Sequence, residues 1–535
     1  MVLLTMREVQ TLKTAKSKVA AFAVIIAAAA AVLYIPILSA DFVYDDISQI
    51  LTDNYIHKPA HFAEVLSLSV MRKDILDNNR PIMVLSLMLD SLLWGRNPFG
   101  YHLTNLLLHS LNSAMMFLLI YGVLSRLFAQ NNKNIGALRA AVIGAIIFAI
   151  HPINSEAVCV VTYREDLLAV FFVLLMLIFA EYFPTQQKTT NLLLGGFVVI
   201  LSFFAVAVKE SGAMAPLFLL VYWLLVRKAG QWRIWTKLIA AGFIANAAFM
   251  IARFTLIPAK SVIFFQKASY IGGSFGRMLT IQPRIWTFQL LELFRLNLLC
   301  ADQTDYSIRF ITLSAALVVL AAAIVVAGLI SRKNTGFSTG ILFFCLAMLP
   351  TSNFVPIFRP LADRYLYLPM VGVCLALGAG LCRLKIQEKL LSKALCVIIP
   401  AAVCVFLGYY TIQREFVWHN SISLWDDTVK KNPFSFIGSD NLGFVLFDTG
   451  EYNKAIPAFT KASQLAPNEA DPIAGLAITY DALGLTDSAD QAYLKAVSVD
   501  KHYAGYDSLM PTLLWTSRQA EKLQVIADRV LKKQK

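Results

Sequence analysis

Charge is scarce in this sequence. Only 15% of its 535 residues are Asp, Glu, Lys or Arg, against about 25% in soluble domains. With 58% hydrophobic residues and a mean hydropathy of +0.62, that deficit excludes a wholly soluble chain. Cysteine is sparse as well. The seven cysteines (159, 300, 345, 374, 382, 396 and 404) lie mostly in apolar runs, and no two form a CxxC. This excludes a disulfide framework and a cysteine zinc site, and the residues read as small buried hydrophobes. No Gly-rich phosphate loop is present, which argues against a nucleotide-sugar substrate. The net charge is +13, but the basic residues lie between apolar runs instead of in one patch. That pattern points to membrane topology and anionic lipid and away from nucleic acid.

What the chain has in abundance is apolar runs. A membrane span needs roughly 20 apolar residues. Eleven spans are expected, at 19–39, 104–127, 138–150, 166–183, 191–208, 213–226, 236–257, 310–330, 337–351, 366–382 and 394–412. The first follows Arg7, Lys13, Lys16 and Lys18, as in a signal peptide. It lacks a small-x-small cleavage site and is read as a retained span. With residues 1–18 inside, the inner loops hold eighteen Lys/Arg, and the short outer loops 151–164, 209–212 and 352–364 hold four. This is the bias that orients membrane helices. The odd number of spans puts the C-terminus outside, with two long outer segments, 41–103 and 258–309. Ile285–Cys300 is apolar but contains Glu292 and Arg295, so it is read as an outer, interfacial or re-entrant helix.

From residue 413 the composition turns soluble, and a 34-residue self-similarity appears. Leu442, Gly443, Gly450, Ala455, Phe459 and Ala462 are answered by Leu476, Ala477, Gly484, Ala489, Tyr493 and Ala496. This is the tetratricopeptide pattern, in which small residues let two helices approach and aromatics fill between units. Residues 420–433 read as the second helix of a degenerate earlier unit. A helix from about Pro511 to Lys533 would cap the stack. The fold expected is all-α: a membrane helix bundle over 1–412, followed by an extracytoplasmic repeat domain over 413–535.

The ionisable residues gather at the outer ends of the spans. Asp41-Phe-Val-Tyr-Asp-Asp46 ends the first apolar run. Acids at such a boundary either terminate a helix or do chemistry, since a carboxylate takes a proton from an attacking hydroxyl. On an extended segment, Asp45 and Asp46 would point to opposite sides. Arg80 lies in the first outer loop. His151-Pro-Ile-Asn-Ser-Glu156 and Arg164-Glu-Asp166 flank the second outer connection, Lys209-Glu210 the third, and Arg359, Asp363 and Arg364 lie in the fourth. Buried charges need partners, and Lys209–Glu156 and Asp363–Arg364 are the pairs expected. The same set suits transfer of a sugar from a lipid phosphate, where cations stabilise the leaving phosphate and a carboxylate activates the acceptor. His102, Asn105 and His109 share one helix face and read first as interhelical hydrogen-bonding groups. No metal site is called, and divalent-metal dependence stays open.

Taken together, these pieces resemble a family. They are Asp45-Asp46 with Asn54; Arg80-Pro81; Gly100-Tyr-His-Leu-Thr-Asn105 with His109; His151-Pro152 with Glu156-Ala157; Arg164 with Asp166-Leu-Leu168; Lys209-Glu210; Leu349-Pro-Thr-Ser-Asn353; and Ala362-Asp-Arg-Tyr-Leu-Tyr-Leu-Pro369. In this order, from about residue 40 to 500, the chain resembles the transmembrane and tetratricopeptide-containing O-mannosyltransferase-like proteins. These are a GT-C branch related to the protein O-mannosyltransferases. Asn79 stands where that family tends to have an aromatic, and Tyr163 where it usually has glycine. The resemblance implies a GT-C membrane domain, a dolichyl- or polyprenyl-phosphate sugar donor, and a catalytic aspartate in the first outer loop.

The reading is therefore an integral-membrane glycosyltransferase of a bacterial inner membrane or the ER membrane. It would move mannose or another hexose to a Ser/Thr hydroxyl of a protein held by the repeats. Asp45 and Asp46 are its catalytic candidates. Arg80, Arg164, Lys209, Arg359 and Arg364 are the candidates for donor phosphate, supported by His102, Glu156, Asp166, Glu210 and Asp363. Membrane lipid is a partner and nucleic acid is not. The alternatives are transfer to lipid or polysaccharide, or a non-enzymatic scaffold built on the repeats.

Overall fold

A computed structural model describes residues 6–73, 75–128, 134–183, 188–227, 231–257, 269–303, 312–331, 334–357, 359–383, 390–504 and 516–534. Parts of the expected outer segment 258–309, at 258–268 and 304–309, lie outside the described residues. Among the described residues every regular element is helical and there is no strand. The chain divides into two compact units. One comprises Met1–Ala40, Asn54–Asn297 and Ile311–Phe416, the other Asp41–Asp53, Leu298–Phe310 and Val417–Lys535.

The first unit is built from α1 (Met6–Leu33), α2 (Pro81–Trp94), α3 (Pro98–Phe128), α4 (Asn134–Ile150), α5 (Arg164–Tyr182), α6 (Lys188–Val208), α7 (Trp232–Leu256), α8 (Phe275–Glu292), α9 (Leu313–Ser331), α10 (Thr335–Met348), α11 (Pro369–Leu381) and α12 (Leu390–Val417). Proline opens α2, α3 and α11, where its fixed φ suits the helix and its missing N–H would have had no partner. Among the described residues four helices are long and apolar enough to cross a membrane: Pro98–Phe128, Asn191–Val208, Trp232–Leu256 and Val397–Val417. A fifth arises if Gly136–Ile150 and Pro152–Cys159, bent by 46°, count as one span. Six shorter apolar helices accompany them. The chain is an integral-membrane protein.

Helix α3 is the hub and packs on α1, α4 and α5. Its polar face links the bundle, as expected of its register. The Asn105 amide donates to the Val160 carbonyl (3.0 Å), His109 bonds the Tyr367 hydroxyl and the Ala149 carbonyl (both 2.9 Å), and Asn112 donates to the Leu167 carbonyl (2.9 Å). Small residues let α10 and α11 approach closely. A Cβ added at Gly340 would collide with the Ala376 backbone, and one at Gly372 with the Gly340 carbonyl. Such contacts are how membrane helices gain packing without a hydrophobic driving force. The amphipathic α8 starts earlier than the sequence suggested, at Phe275, and ends at Glu292. It packs Ile285 and Phe288 on Leu361, and its Trp286 indole donates to Ser352 (3.0 Å). It thus covers the connection between α10 and α11.

The second unit holds α13 (Ser421–Lys431), α14 (Phe436–Asp448), α15 (Tyr452–Leu465), α16 (Asp471–Ala482), α17 (Thr486–Val499) and α18 (Ser517–Gln534). Asn420 and Ser423 cap α13 reciprocally. Gly450 (φ 81°) and Gly484 (φ 75°) follow α14 and α16 at equivalent repeat positions, in the left-handed conformation that ends helices. The Phe459 ring lies against both Gly443 and Gly475, so one aromatic fills two units. Leu523, Ile526 and Val530 of α18 join the same core. The first residues of the expected capping helix, 511–515, lie outside the described residues.

Candidate functional site

The charges of the first unit are interlocked. Arg80 immediately precedes α2 and pairs with Asp77 (2.7 Å), Glu210 (3.3 Å) and Glu165. Lys209, after α6, pairs with Glu165 (3.0 Å) and Asp166 (2.5 Å) at the start of α5. Glu210 also accepts from Arg253 (2.9 Å). Arg364 takes Glu156 twice, through its guanidinium and through its backbone N–H (2.9 Å). The expected Lys209–Glu156 pair is thus replaced: Lys209 is drawn to the nearer acids of α5, and Glu156 serves Arg364. The two groups meet at Tyr365, whose ring lies 5.5 Å from the Lys209 ammonium and 5.1 Å from the Arg364 guanidinium.

Tyr163 stands under Arg364, ring to guanidinium 3.8 Å. A glycine there would leave the cation without that face. Arg359 shares the loop, and the Tyr365 hydroxyl donates to its carbonyl (3.0 Å). Burial, and then the neighbouring Arg364 charge, lower the Arg359 guanidinium to about 10. It still carries its charge at neutral pH. Burial opposes the charge on Lys209 too, but Asp166 and Glu165 outweigh it and hold the ammonium above its ordinary value.

Arg164 is different. It is wholly buried and is engaged by Asp90 (2.5 Å), Asn105 (2.7 Å), Ser86 (3.0 Å) and the Tyr101 carbonyl (2.8 Å). Its geometry is that of a clamp joining α2, α3 and α5. His102 is buried on α3, and Asp363 is buried beside Arg364.

Asp45 and Asp46 belong to the second compact unit. They are not on an extended segment. Tyr44 takes a left-handed conformation (φ 58°), and the two acids open a helical turn that continues into Ile47–Thr52. Successive helical residues diverge by about 100° instead of 180°. Asp46 is buried and Asp45 half-buried. The Tyr44 ring lies 5.1 Å from Trp425, and the Asp41 N–H donates to the His419 carbonyl (3.0 Å).

Four partners were not singled out in the sequence: Asp77, Asp90, Glu165 and Arg253. Asp90 and Arg253 are lone charges in apolar runs, a signal that does call for a partner. Among the described residues no three His, Cys, Asp or Glu side chains are grouped to hold a metal.

A tetratricopeptide repeat family profile matches residues 446–510. Over most of its length the chain is similar to protein O-mannosyl-transferase TMTC3 of Homo sapiens: 26% identical over 502 residues, 86% of this chain and 53% of that protein. It is also similar to protein O-mannosyl-transferase F38B6.6 of Caenorhabditis elegans, at 26% over 451 residues, with 81% and 61% covered. For protein O-mannosyl-transferase Tmtc3 of Drosophila melanogaster the identity is 24% over 525 residues, with 85% and 56% covered. The chain is a homologue of these protein O-mannosyl-transferases. It spans just over half of their length.

Proposed function

We propose that the chain is a polyprenyl- or dolichyl-phosphate-dependent hexosyltransferase. Its bundle is of GT-C type with about eleven spans, and it acts on a Ser/Thr hydroxyl of a protein on the extracytoplasmic side. The observation that carries this reading is the pair of like charges on one loop, the half-buried Arg359 and the buried Arg364. The Glu156 carboxylate fixes Arg364 in place through its backbone N–H and its guanidinium. Two adjacent guanidiniums suit a dianionic leaving group, because they are bidentate and do not lose their charge on burial.

In this reading the acceptor oxygen attacks the anomeric carbon and the bond from that carbon to the phosphate oxygen breaks. The electron pair leaves with polyprenyl phosphate, whose charge Arg359, Arg364 and Lys209 offset. The acceptor proton passes to a carboxylate of the Asp45–Asp46 pair. Asp45, half-buried, is the better placed to meet an acceptor, while the buried Asp46 positions the turn. A base in reach is worth roughly 10²–10⁴-fold in rate. Arg80, paired with three acids, and Arg164, held by Asp90 and neutral acceptors, hold the loops. The repeats dock the acceptor protein.

The test is turnover by the purified chain with a panel of polyprenyl-phosphate sugars and a serine/threonine peptide, lipid or glycan acceptor. Peptide glycosylation lost at least 10²-fold in Asp45→Asn is the expected result. Transfer only to lipid or glycan would refute the protein acceptor. Unchanged turnover in both Asp45→Asn and Asp46→Asn would remove the base assignment.

A further inference from the structure

The repeat unit contains a carboxylate that its own fold leaves unsatisfied. Asp440, in the first half of α14, is 8% exposed, and its Oδ1 has no hydrogen-bond partner. An acid taken out of water in this way is costly unless something pairs with it. The charged groups that act on it most strongly, Asp471 and Glu469, are both acids. Asp471 opens α16, which packs on α14, and Glu469 precedes it on the exposed connection. The Tyr503 hydroxyl donates to Asp471 and also lies within the field of Asp440. The first helices of two successive repeats therefore bring Asp440, with its buried unused acceptor, into the field of two further acids, and burial and those acids push its carboxyl up.

We propose that Asp440, Glu469 and Asp471 form a receptor for the ammonium or guanidinium group of a lysine or arginine carried on an extended segment of a partner protein. Stacked repeats present extended binding surfaces. A long cationic side chain can reach a buried acceptor while its backbone stays at the rim. A bare metal ion is the poorer occupant, because no group of three ligating side chains among the described residues has the arrangement to hold one. The inference goes beyond sugar transfer and does not depend on it, since binding is read without turnover.

The experiment uses the full chain in detergent and fluorescent Ser/Gly peptides carrying one central Arg, Lys or Gln. Anisotropy should show the Arg and Lys peptides binding about tenfold tighter than the Gln peptide at low salt, with the difference shrinking as salt is raised. Asp440→Asn should bring the three peptides within about twofold of one another. Glu469→Gln, at an exposed position that does not support the fold, should remove part of the preference. Equal binding of all three peptides to the wild type, or a preference unchanged in both variants, would overturn the proposal. So would a calcium-induced rise in melting temperature that Asp440→Asn abolishes, because it would assign these acids to a metal.

Discussion

Glu156 holds Arg364 at two points, the backbone N–H at 2.9 Å and the guanidinium, while the Tyr163 ring supports the opposite side of the cation at 3.8 Å. Backbone and side chain of one arginine are fixed by one carboxylate, so its fork is preorganised before any ligand arrives. Preorganised charge costs nothing to reorient during reaction.

Glu156→Gln keeps an acceptor for the backbone N–H but loses the charge. The expected outcome is a folded protein whose KM for the polyprenyl-phosphate donor rises about tenfold or more, the scale of a lost charge-assisted contact. Arg364→Lys should behave similarly, because an ammonium cannot reproduce the fork. Steady-state kinetics at varied donor check this. An unchanged donor KM in both variants would remove Arg364 from the phosphate site.

Lys209 lies between Glu165 at 3.0 Å and Asp166 at 2.5 Å. Lys209→Met leaves two buried acids facing each other and should cost about 3–5 kcal/mol, read as a lower melting temperature in detergent. Lys209→Arg should recover part of it. Since the folded value of Lys209 is raised, its contribution is fully present below the ordinary lysine value, about 10.4. It is lost only as pH climbs through the raised folded value. The wild-type advantage over Lys209→Met should therefore not decline between about pH 6 and about pH 9.

In the repeats, a Cβ on Gly443 would stand 2.6 Å from the Phe459 ring. Gly443→Ala and Gly475→Ala should each destabilise the repeat unit by about 1–3 kcal/mol, measured as earlier proteolytic cleavage on heating. Combining Gly443→Ala with Phe459→Leu should cost less than the sum of the two, because both act on one contact. Simple additivity would show that the ring and the glycine do not share it.

The proposed orientation puts the repeats outside the cytoplasm. Ser498 is exposed on the repeats. Ser498→Cys, in a background without the seven native cysteines, should react with an impermeant maleimide in intact cells. Labelling that needs permeabilisation would invert the topology.

The repeats were legible because their signals are local. Gly450 and Gly484 sit where only a left-handed residue ends the helix, and Phe459 and Tyr493 keep a fixed phase with them. The loops carrying Arg80, Glu156, Lys209 and Arg364 could be picked out because charges between apolar runs stand out. Which acid each cation chose could not be read. The Lys209–Glu165 and Arg364–Glu156 pairs depend on how α5 packs against α6 and on how the α10–α11 connection folds, and neither has a local signature. The turn at Asp45–Asp46 was hidden by Tyr44, a bulky residue held at φ 58°. No propensity rule places an aromatic there, and its ring instead packs on Trp425, far along the chain.

Where Gly340 meets Gly372, the α10 and α11 backbones touch with no side chain between them. Two helices joined this way behave as one strut, since sliding or tilting either would drive backbone into backbone. The connection bearing Arg359 and Arg364 is tethered at both ends to that strut. Its guanidiniums are thus carried on a fixed mount, and any movement that admits a long lipid or releases a product has to be hinged in other helices of the bundle.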